Sequence, residues 1–292
     1  MALTDSTRSV TEPTGSFADS GGVRLYYEET GSGTPVVFVH EFAADCRSWE
    51  PQVRFFSRRY RCITYNARGY PPSDVPREPQ AYSQQHAVDD IAAVLRHLRI
   101  EKAHICGLSQ GGYATVHFGI HYPRMALSLA ICGAGHGSDP NTRAQFLKDG
   151  AELADRIERL GMQEGIKHYA ASPTRMPLRH KDPRAYEEFH RQFAEHSNLG
   201  SALTMRGYQL RRPTIYELER DLEEIDVPTL IVTGDEDVPC LEPGLFMKRK
   251  IRSAGLLVIP NSGHSLNLEE VDAFNRALLE FWTAVDAGKW RW

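Results

Sequence analysis

The chain has 292 residues, of which 41% are hydrophobic and 25% are charged, and this composition is typical of a globular protein with a sizeable core. A formal net charge of −4 gives no electrostatic reason to expect nucleic acid or an anionic membrane surface as a partner. No apolar run approaches the roughly 20 residues of a membrane span, and the five cysteines form no C-x-x-C pair, so we expect buried free thiols in a reducing cytoplasm.

The first third of the chain alternates predicted strands and helices. Residues 1–20 are polar and offer no hydrophobic stretch for a signal peptide, so we expect them to form a flexible leader. Apolar and β-branched runs predict strands over residues 23–29, 35–40 and 60–66. Apolar residues at helical spacing predict helices over about 48–58 and 83–98.

The remainder of the chain divides into two kinds of sequence. Strands are predicted over 103–106, 126–132, 227–234 and 256–260, and helices over 113–122, 243–251 and 268–285. Between 138 and 221 the sequence is charged, and helices are predicted over 151–160, 186–194 and 201–210. We therefore expect an α/β fold with a doubly wound, mostly parallel sheet built from residues 21–137 and 222–288. Residues 138–221 should form a helical cap, inserted between two strands and lying over their carboxyl ends.

One stretch of sequence carries a chemical signature. Residues 107–112 read Gly-Leu-Ser-Gln-Gly-Gly between a predicted strand and a predicted helix. Strand, tight turn and helix with Ser109 at the apex make a G-x-S-x-G nucleophile elbow. Gly107 and Gly111 suit so tight a turn because glycine has no Cβ to collide with its neighbours. The helix N-terminus and the Gln110 N–H would offer positive potential to a developing oxyanion.

Five landmarks now occur in a recognisable order. They are the loop that begins at His40 and ends at Trp49, the loop 68–73, the elbow, the acidic stretch 234–237, and the loop 261–264. With them the chain resembles the α/β-hydrolase fold family from about residue 22 to residue 285, and in particular its esterase-like and lactonase-like members with a helical cap. This resemblance implies a catalytic triad of Ser109, Asp237 and His264. Asp235 and Glu236 compete with Asp237 for the acid.

The loop after the second predicted strand, residues 35–40, departs from the family pattern. Members usually carry His-Gly and then an apolar residue, whereas this chain has His40-Glu41-Phe42. The resemblance implies that the backbone N–H groups of Phe42 and Gln110 form the oxyanion hole. One interpretation is that Glu41 points away and pairs with Arg68 or another base. The other is that its carboxylate lines the pocket, where it disfavours anionic substrates or positions a water molecule.

The resemblance implies a cofactor-independent serine hydrolase that cleaves a small carboxylic ester or lactone through an acyl-enzyme on Ser109. A serine at the elbow argues against haloalkane dehalogenases and epoxide hydrolases of this fold, which use aspartate. The alternatives are C–C bond hydrolysis, perhydrolase activity like that of cofactor-free haloperoxidases, or a non-catalytic small-molecule receptor.

Further residues are candidates for the substrate pocket. These are His40, Glu41, His136 and Tyr208, and a basic edge at the end of the cap formed by Arg206, Arg211 and Arg212. We expect no metal and no cofactor. The expected partner is a small-molecule substrate in the cytoplasm, with no nucleic acid and no membrane, and a homodimer is compatible with the sequence.

Overall fold

The computed structural model describes residues 15–290. The eight strands within them form one sheet in the order β1-β2-β4-β3-β5-β6-β7-β8. The strands from β4 to β8 in this order are parallel, and β2 is antiparallel to both of its neighbours. The strand bounds are β1 Ser16–Ser20, β2 Val23–Thr30, β3 Thr34–Val39, β4 Tyr60–Tyr65, β5 Ala103–Leu108, β6 Ala126–Cys132, β7 Thr229–Gly234 and β8 Ala254–Ile259. The predicted doubly wound, mostly parallel sheet is confirmed.

From β3 onward, helices connect successive strands and follow the last one. Their bounds are α1 Glu50–Phe56, α2 Gln84–His97, α3 Gln110–His121, α4 Arg143–Gly165, α5 Lys167–Ala170, α6 Met176–Lys181, α7 Pro183–Ala194, α8 Asn198–Thr204, α9 Glu219–Glu223, α10 Val238–Lys250, α11 Leu266–Glu269 and α12 Val271–Asp286. None of the helices within residues 15–290 is both long and apolar enough to cross a membrane.

Alternating residues of the parallel strands place apolar side chains on both faces of the sheet. One face packs against α2, α3 and α10 through residues such as Ile105 and Ile131. The other face packs against α1 and α12 through residues such as Phe38 and Trp282. All five cysteines are buried and free, as predicted.

The segment 143–223, called here the helical segment, joins β6 to β7 and contains α4 to α9. Its buried side chains form a third apolar cluster together with the loop that follows β3. Phe42 from that loop is fully buried, with its ring 5.7 Å from the ring of Tyr169 and 5.9 Å from that of Phe193. The helical segment therefore packs over the carboxyl ends of the strands.

The flexible leader predicted for residues 1–20 is wrong over its last part. Residues 16–20 form β1, which pairs antiparallel with β2. Ala18 is fully buried, and the Ser20 hydroxyl donates to Asp90 at 2.7 Å, so this strand is fastened to α2 although its sequence is polar. Residues 1–14 of the predicted leader lie outside the described residues.

The predicted helix over 243–251 begins earlier than expected, at Val238. Pro239 lies in its first turn, where the missing N–H of proline costs no helical hydrogen bond. The helix start is therefore adjacent to Asp237 and helps to fix where that residue stands.

Candidate active site

The turn between β5 and α3 places Ser109 in a strained backbone conformation. Ser109 has φ 56° and ψ −111°, which a residue with a side chain rarely adopts. Its N–H donates to the Cys132 carbonyl at 2.9 Å, and its carbonyl accepts from the Tyr113 N–H at 2.9 Å. Both ends of the residue are thus fixed, and the side chain stands at the carboxyl edge of the sheet.

Close backbone contacts explain why glycine flanks Ser109. A Cβ on Gly107 would lie 2.1 Å from the Gly111 carbonyl oxygen, and a Cβ on Gly111 would lie 2.1 Å from the Val39 carbonyl oxygen. No side chain fits at either distance. The elbow is therefore locked between its own helix and the end of β3.

The loops after β7 and β8 bring an acid and an imidazole together. Asp237 and His264 are both buried, and the His264 Nδ1 lies 2.7 Å from the Asp237 Oδ2. Burial alone would raise the pKa of Asp237, but the facing His264 holds it below its ordinary value. The aspartate is then an anion that accepts the Nδ1–H, which leaves Nε2 of His264 free to accept a proton.

Hydrogen bonds to two residues, Glu269 and Thr174, hold the loop that carries His264. The Glu269 carboxylate accepts from the Gly263 N–H, from the Ser265 N–H at 2.9 Å and from the Ser262 hydroxyl at 3.2 Å. On the other side, the His264 N–H donates to the Thr174 carbonyl of the helical segment at 2.8 Å. The imidazole is thus positioned from both α11 and the helical segment.

The two amides expected to form an oxyanion hole are oriented by their neighbouring carbonyls. The Glu41 carbonyl accepts from His40 Nδ1 at 2.7 Å and from the Ala44 N–H at 3.3 Å. In a planar trans peptide the N–H points opposite to the carbonyl, so the Phe42 N–H points away from these donors. The Gln110 N–H likewise points out of the first turn of α3. Within residues 15–290 neither N–H has a hydrogen-bond acceptor.

The Glu41 side chain is buried in an ion pair with Arg175 of the helical segment. The Arg175 Nη1 donates to Glu41 Oε1 at 2.6 Å and to the Ser265 hydroxyl at 2.6 Å, and Nη2 donates to Glu41 Oε2. Burial alone would raise the pKa of Glu41, but the charge and hydrogen bonds of Arg175 keep it below its ordinary value. Glu41 is therefore an anion paired with a base, as one of the two interpretations held.

The predicted partner Arg68 is wrong, because its guanidinium is already occupied. Arg68 Nε and Nη2 donate to the two carboxylate oxygens of Asp90 at 2.8 and 2.6 Å. That pair ties the loop after β4 to α2. Glu41 instead meets Arg175, a residue 134 positions away in the sequence.

A cavity of about 650 Å³ opens between the sheet edge and the helical segment. Ser109 and His264 belong to its core wall, the side supplied by the loops after β5 and β8. We call the other side the helix wall, and its residues come from the helical segment: Phe146, Asp149, Gly150, Glu152, Leu153, Arg156, His168, Tyr169, Ser172, Pro173, Thr174, Arg175, Met205, Gln209 and Arg212. Ser109 and His264 therefore face a space large enough for a small organic molecule.

The predicted pocket residues occupy different places. His136 lines the cavity. Tyr208 instead lies behind the elbow, where its hydroxyl donates to the Gln110 carbonyl at 2.6 Å. His40 lies beneath the oxyanion loop and accepts from the Ala67 N–H at 3.0 Å, and Glu41 lies in its ion pair. These three residues support the site from outside the lining of the cavity.

The predicted basic edge at 206–212 is divided by the fold. Arg206 pairs with Asp155 and Glu158 on the surface, and Arg211 is exposed. Arg212 is buried and lines the cavity, with its guanidinium 3.6 Å from the centre of the Tyr113 ring.

Residues that the sequence did not indicate complete the site. Arg175 and Glu269 belong to no recognised motif, and their roles depend on contacts with loops far away in sequence. The only sequence signal that bore on Arg175 was the unusual Glu41, which called for a basic partner without identifying it.

Comparison with known proteins agrees with the fold. The model of a family described as alpha/beta hydrolase fold matches residues 34–271. The chain is 28% identical to 3-oxoadipate enol-lactonase 1 of Acinetobacter baylyi, over 82% of this chain and 85% of that protein. It is also 28% identical to 2-hydroxy-6-oxononadienedioate/2-hydroxy-6-oxononatrienedioate hydrolase of Burkholderia vietnamiensis, over 90% and 92%. A solved thermophilic esterase from Thermogutta terrifontis has a TM-score of 0.79 at 25% identity, covering 94% of this chain and 99% of that one.

Proposed function

The chain belongs to the alpha/beta hydrolase fold family, and from this premise we propose that it is a serine hydrolase that cleaves a small carboxylic ester or lactone. One observation carries the proposal. A strained Ser109 shares the core wall of a cavity with His264, whose other ring nitrogen is hydrogen-bonded to the buried Asp237. This arrangement matches the needs of nucleophilic acyl transfer.

The proposed reaction begins when the Ser109 Oγ attacks the substrate carbonyl carbon. His264 Nε2 takes the hydroxyl proton, and the Phe42 and Gln110 N–H groups stabilise the charge that develops on the carbonyl oxygen. The C–O bond to the leaving group then breaks, and His264 returns the proton to the departing alcohol. Water, deprotonated by His264, attacks the acyl-enzyme and releases the acid and free Ser109.

The relatives support this reaction class. An enol-lactonase and an esterase are both named among proteins of similar length and fold. The same triad geometry also serves C–C bond hydrolysis and perhydrolysis, which differ in the bond that the nucleophile or the activated water meets. The helical segment, which we propose acts as a cap over the site, would determine which of these substrates fits.

The test is hydrolysis of a panel of 4-nitrophenyl esters with acyl chains of two to ten carbons by the wild type and by Ser109→Ala. We expect the variant to lose about 10⁴-fold or more of kcat. Wild type mixed with excess ester should also release a rapid burst of one 4-nitrophenolate per active site if deacylation is the slower step. Ser57→Ala, at the end of α1 and the opposite edge of the sheet, is the control for the substitution itself.

One outcome would contradict the proposed mechanism, and another would restrict the proposed substrates. Ester hydrolysis that survives in Ser109→Ala would place the chemistry elsewhere. An inactive wild type with folded structure would exclude simple esters, and lactones, C–C substrates and non-catalytic ligand binding would then be measured in the same pair of proteins.

A further inference from the structure

Arg212 is a buried arginine of the helix wall whose charge no carboxylate within residues 15–290 neutralises. Its side chain is only 3% exposed, and it follows the turn that ends at Gln209. The guanidinium carbon lies 3.6 Å from the centre of the Tyr113 ring, and Nη2 donates to the His136 carbonyl at 3.0 Å. Tyr113 is one helical turn beyond Ser109, so the charge stands near the elbow.

The other buried arginines have carboxylate partners. Arg68 is paired with Asp90, and Arg175 with Glu41. Across residues 15–290, by contrast, no carboxylate lies within 4 Å of Arg212, and its Nε and Nη1 have no hydrogen-bond acceptor. A buried unpaired charge costs several kcal/mol, and unpaired buried donors add to that cost. An anion bound at this guanidinium would offset both costs.

The acidic residues of the cavity do not serve as that partner. Asp149, Glu152 and Glu236 line it, but all three side chains are exposed and so belong to its mouth. Glu152 is also 3.8 Å from Arg156. The cavity is thus acidic where it opens and basic inside, near the nucleophile.

We propose that Arg212 binds a carboxylate of the substrate, so that the substrate is an ester or lactone with an acid group away from the reacting carbonyl. The two unpaired donors, Nε and Nη1, point to different sides of the guanidinium, and either can donate a charge-assisted hydrogen bond to a carboxylate oxygen. The acid group then fixes the direction in which the substrate lies, with its carbonyl at Ser109. This inference rests on the proposed function, since it describes the substrate of the same site.

The test uses pairs of substrates that differ only in charge. Each pair consists of a 4-nitrophenyl monoester of glutaric, adipic or pimelic acid and the methyl ester of the same compound, with spontaneous hydrolysis subtracted. Wild type should prefer the acid of at least one pair by ten-fold or more in kcat/KM. Arg212→Met should lose roughly 10- to 100-fold on that acid, as expected for a charge-assisted hydrogen bond, and should stay within about three-fold on the methyl ester.

Two further variants separate charge from structure. Arg212→Lys keeps the charge but loses the Nε–H and Nη1–H donors, so it should recover part of the preference. Arg211→Met, at an exposed neighbour, should behave as the wild type. Equal losses on both members of a pair in Arg212→Met would mean that Arg212 only supports Tyr113 and His136. Wild type without a preference for any of the acids would also overturn the proposal.

A binding measurement distinguishes failure of this inference from failure of the proposed function. If wild type hydrolyses none of the esters, calorimetric titration with glutarate, adipate and pimelate still tests the anion site. We expect one of these dianions to bind wild type at least ten-fold more tightly than Arg212→Met, with circular dichroism showing that both are folded. Equal affinity for the two proteins, or no binding to either, would exclude the site.

Discussion

The two walls of the cavity are held in place by different interactions. The core wall depends on backbone contacts, because Gly107 and Gly111 leave no room for a side chain, and strain at Ser109 is fixed by hydrogen bonds at both its ends. The helix wall depends on side chains, chiefly the Arg175–Glu41 ion pair and the packing of Phe42 against Phe193. Backbone contacts of this kind allow few substitutions, whereas side-chain contacts allow many.

This difference separates chemistry from selectivity. The nucleophile, the base and both oxyanion N–H groups of the proposed mechanism lie on or beside the core wall. In the same proposed mechanism the rest of the substrate lies against the helix wall, which includes Tyr169 and Arg212. Changes to the core wall should therefore affect all substrates alike, and changes to the helix wall should affect some substrates more than others.

The largest loss of activity is expected from a change at Asp237, whose carboxylate is hydrogen-bonded to His264 of the core wall. Asp237→Asn should lower kcat by about 10⁴, because an amide no longer fixes the His264 tautomer or stabilises the imidazolium. The loss should be the same for every ester of the panel. Steady-state kinetics over chain length measure this.

Exposed Asp226, in the loop before β7, supplies the matched control as Asp226→Asn, which should retain wild-type rates. A larger loss in Asp235→Asn or Glu236→Gln than in Asp237→Asn would move the role of the acid to that neighbour. A loss that varies strongly with chain length would contradict the separation of the two walls.

Sequence alone predicted the core wall well because its requirements are local. A tight turn needs glycine next to Ser109, and parallel strands bring their carboxyl ends to one edge, so the landmarks after β3, β5, β7 and β8 had to converge. The fold followed from this, and the family resemblance implied the pairing of Asp237 with His264, which lie 2.7 Å apart. The error at residues 16–20 arose because β1 is polar and is fastened by pairing with β2 and by Ser20.

The helix wall was less predictable because its contacts are remote in sequence. Helical patterning indicated that residues 138–221 are helices, but periodicity does not determine which arginine reaches which acid. The sequence left two interpretations open for the Glu41 side chain, and its observed partner, Arg175, lies 134 residues away. Arg206, Arg211 and Arg212 looked alike, although only Arg212 is buried in the cavity wall.

The next largest effect concerns the ion pair that joins the two walls. Glu41→Gln removes the anion but leaves Arg175 buried, and loss of one partner of a buried pair costs about 3–5 kcal/mol of the free energy of unfolding. The double variant Glu41→Gln/Arg175→Met removes both charges and should recover a large part of that loss. Urea denaturation of the wild type, both single variants and the double variant gives the coupling energy.

An exposed pair provides the control for that cycle. Arg206→Met breaks contacts with Asp155 and Glu158 on the surface of the helical segment and should cost less than about 1 kcal/mol. If Glu41→Gln were no more destabilising than Arg206→Met, the walls would not be joined by this pair. The two walls would then be held together by apolar packing alone.

The smallest expected effect is a pH dependence of the free energy of unfolding, to which a histidine near each wall should contribute. Burial lowers the pKa of His40, beneath the oxyanion loop, to about 4, and it lowers the pKa of His136 in the cavity to about 4, with the charge of His264 adding to the shift. Between pH 6.5 and pH 4 the unfolded chain therefore binds protons that the folded protein does not. The free energy of unfolding should be fully present above pH 6.5 and should fall as the pH is lowered.

The variant His136→Gln measures how much of the pH-dependent fall in unfolding free energy comes from the histidine in the cavity. One unit of pKa difference corresponds to about 1.4 kcal/mol, so His136 should contribute up to about 2 kcal/mol to the fall in unfolding free energy between pH 7 and pH 5. The variant should show a shallower fall by that amount, measured by urea denaturation at both pH values. His180→Gln, at an exposed position of the helical segment, controls for the exchange of the side chain. An undiminished fall in His136→Gln would mean that the ring takes up its proton in the folded protein, and the cavity would then admit positive charge beside His264.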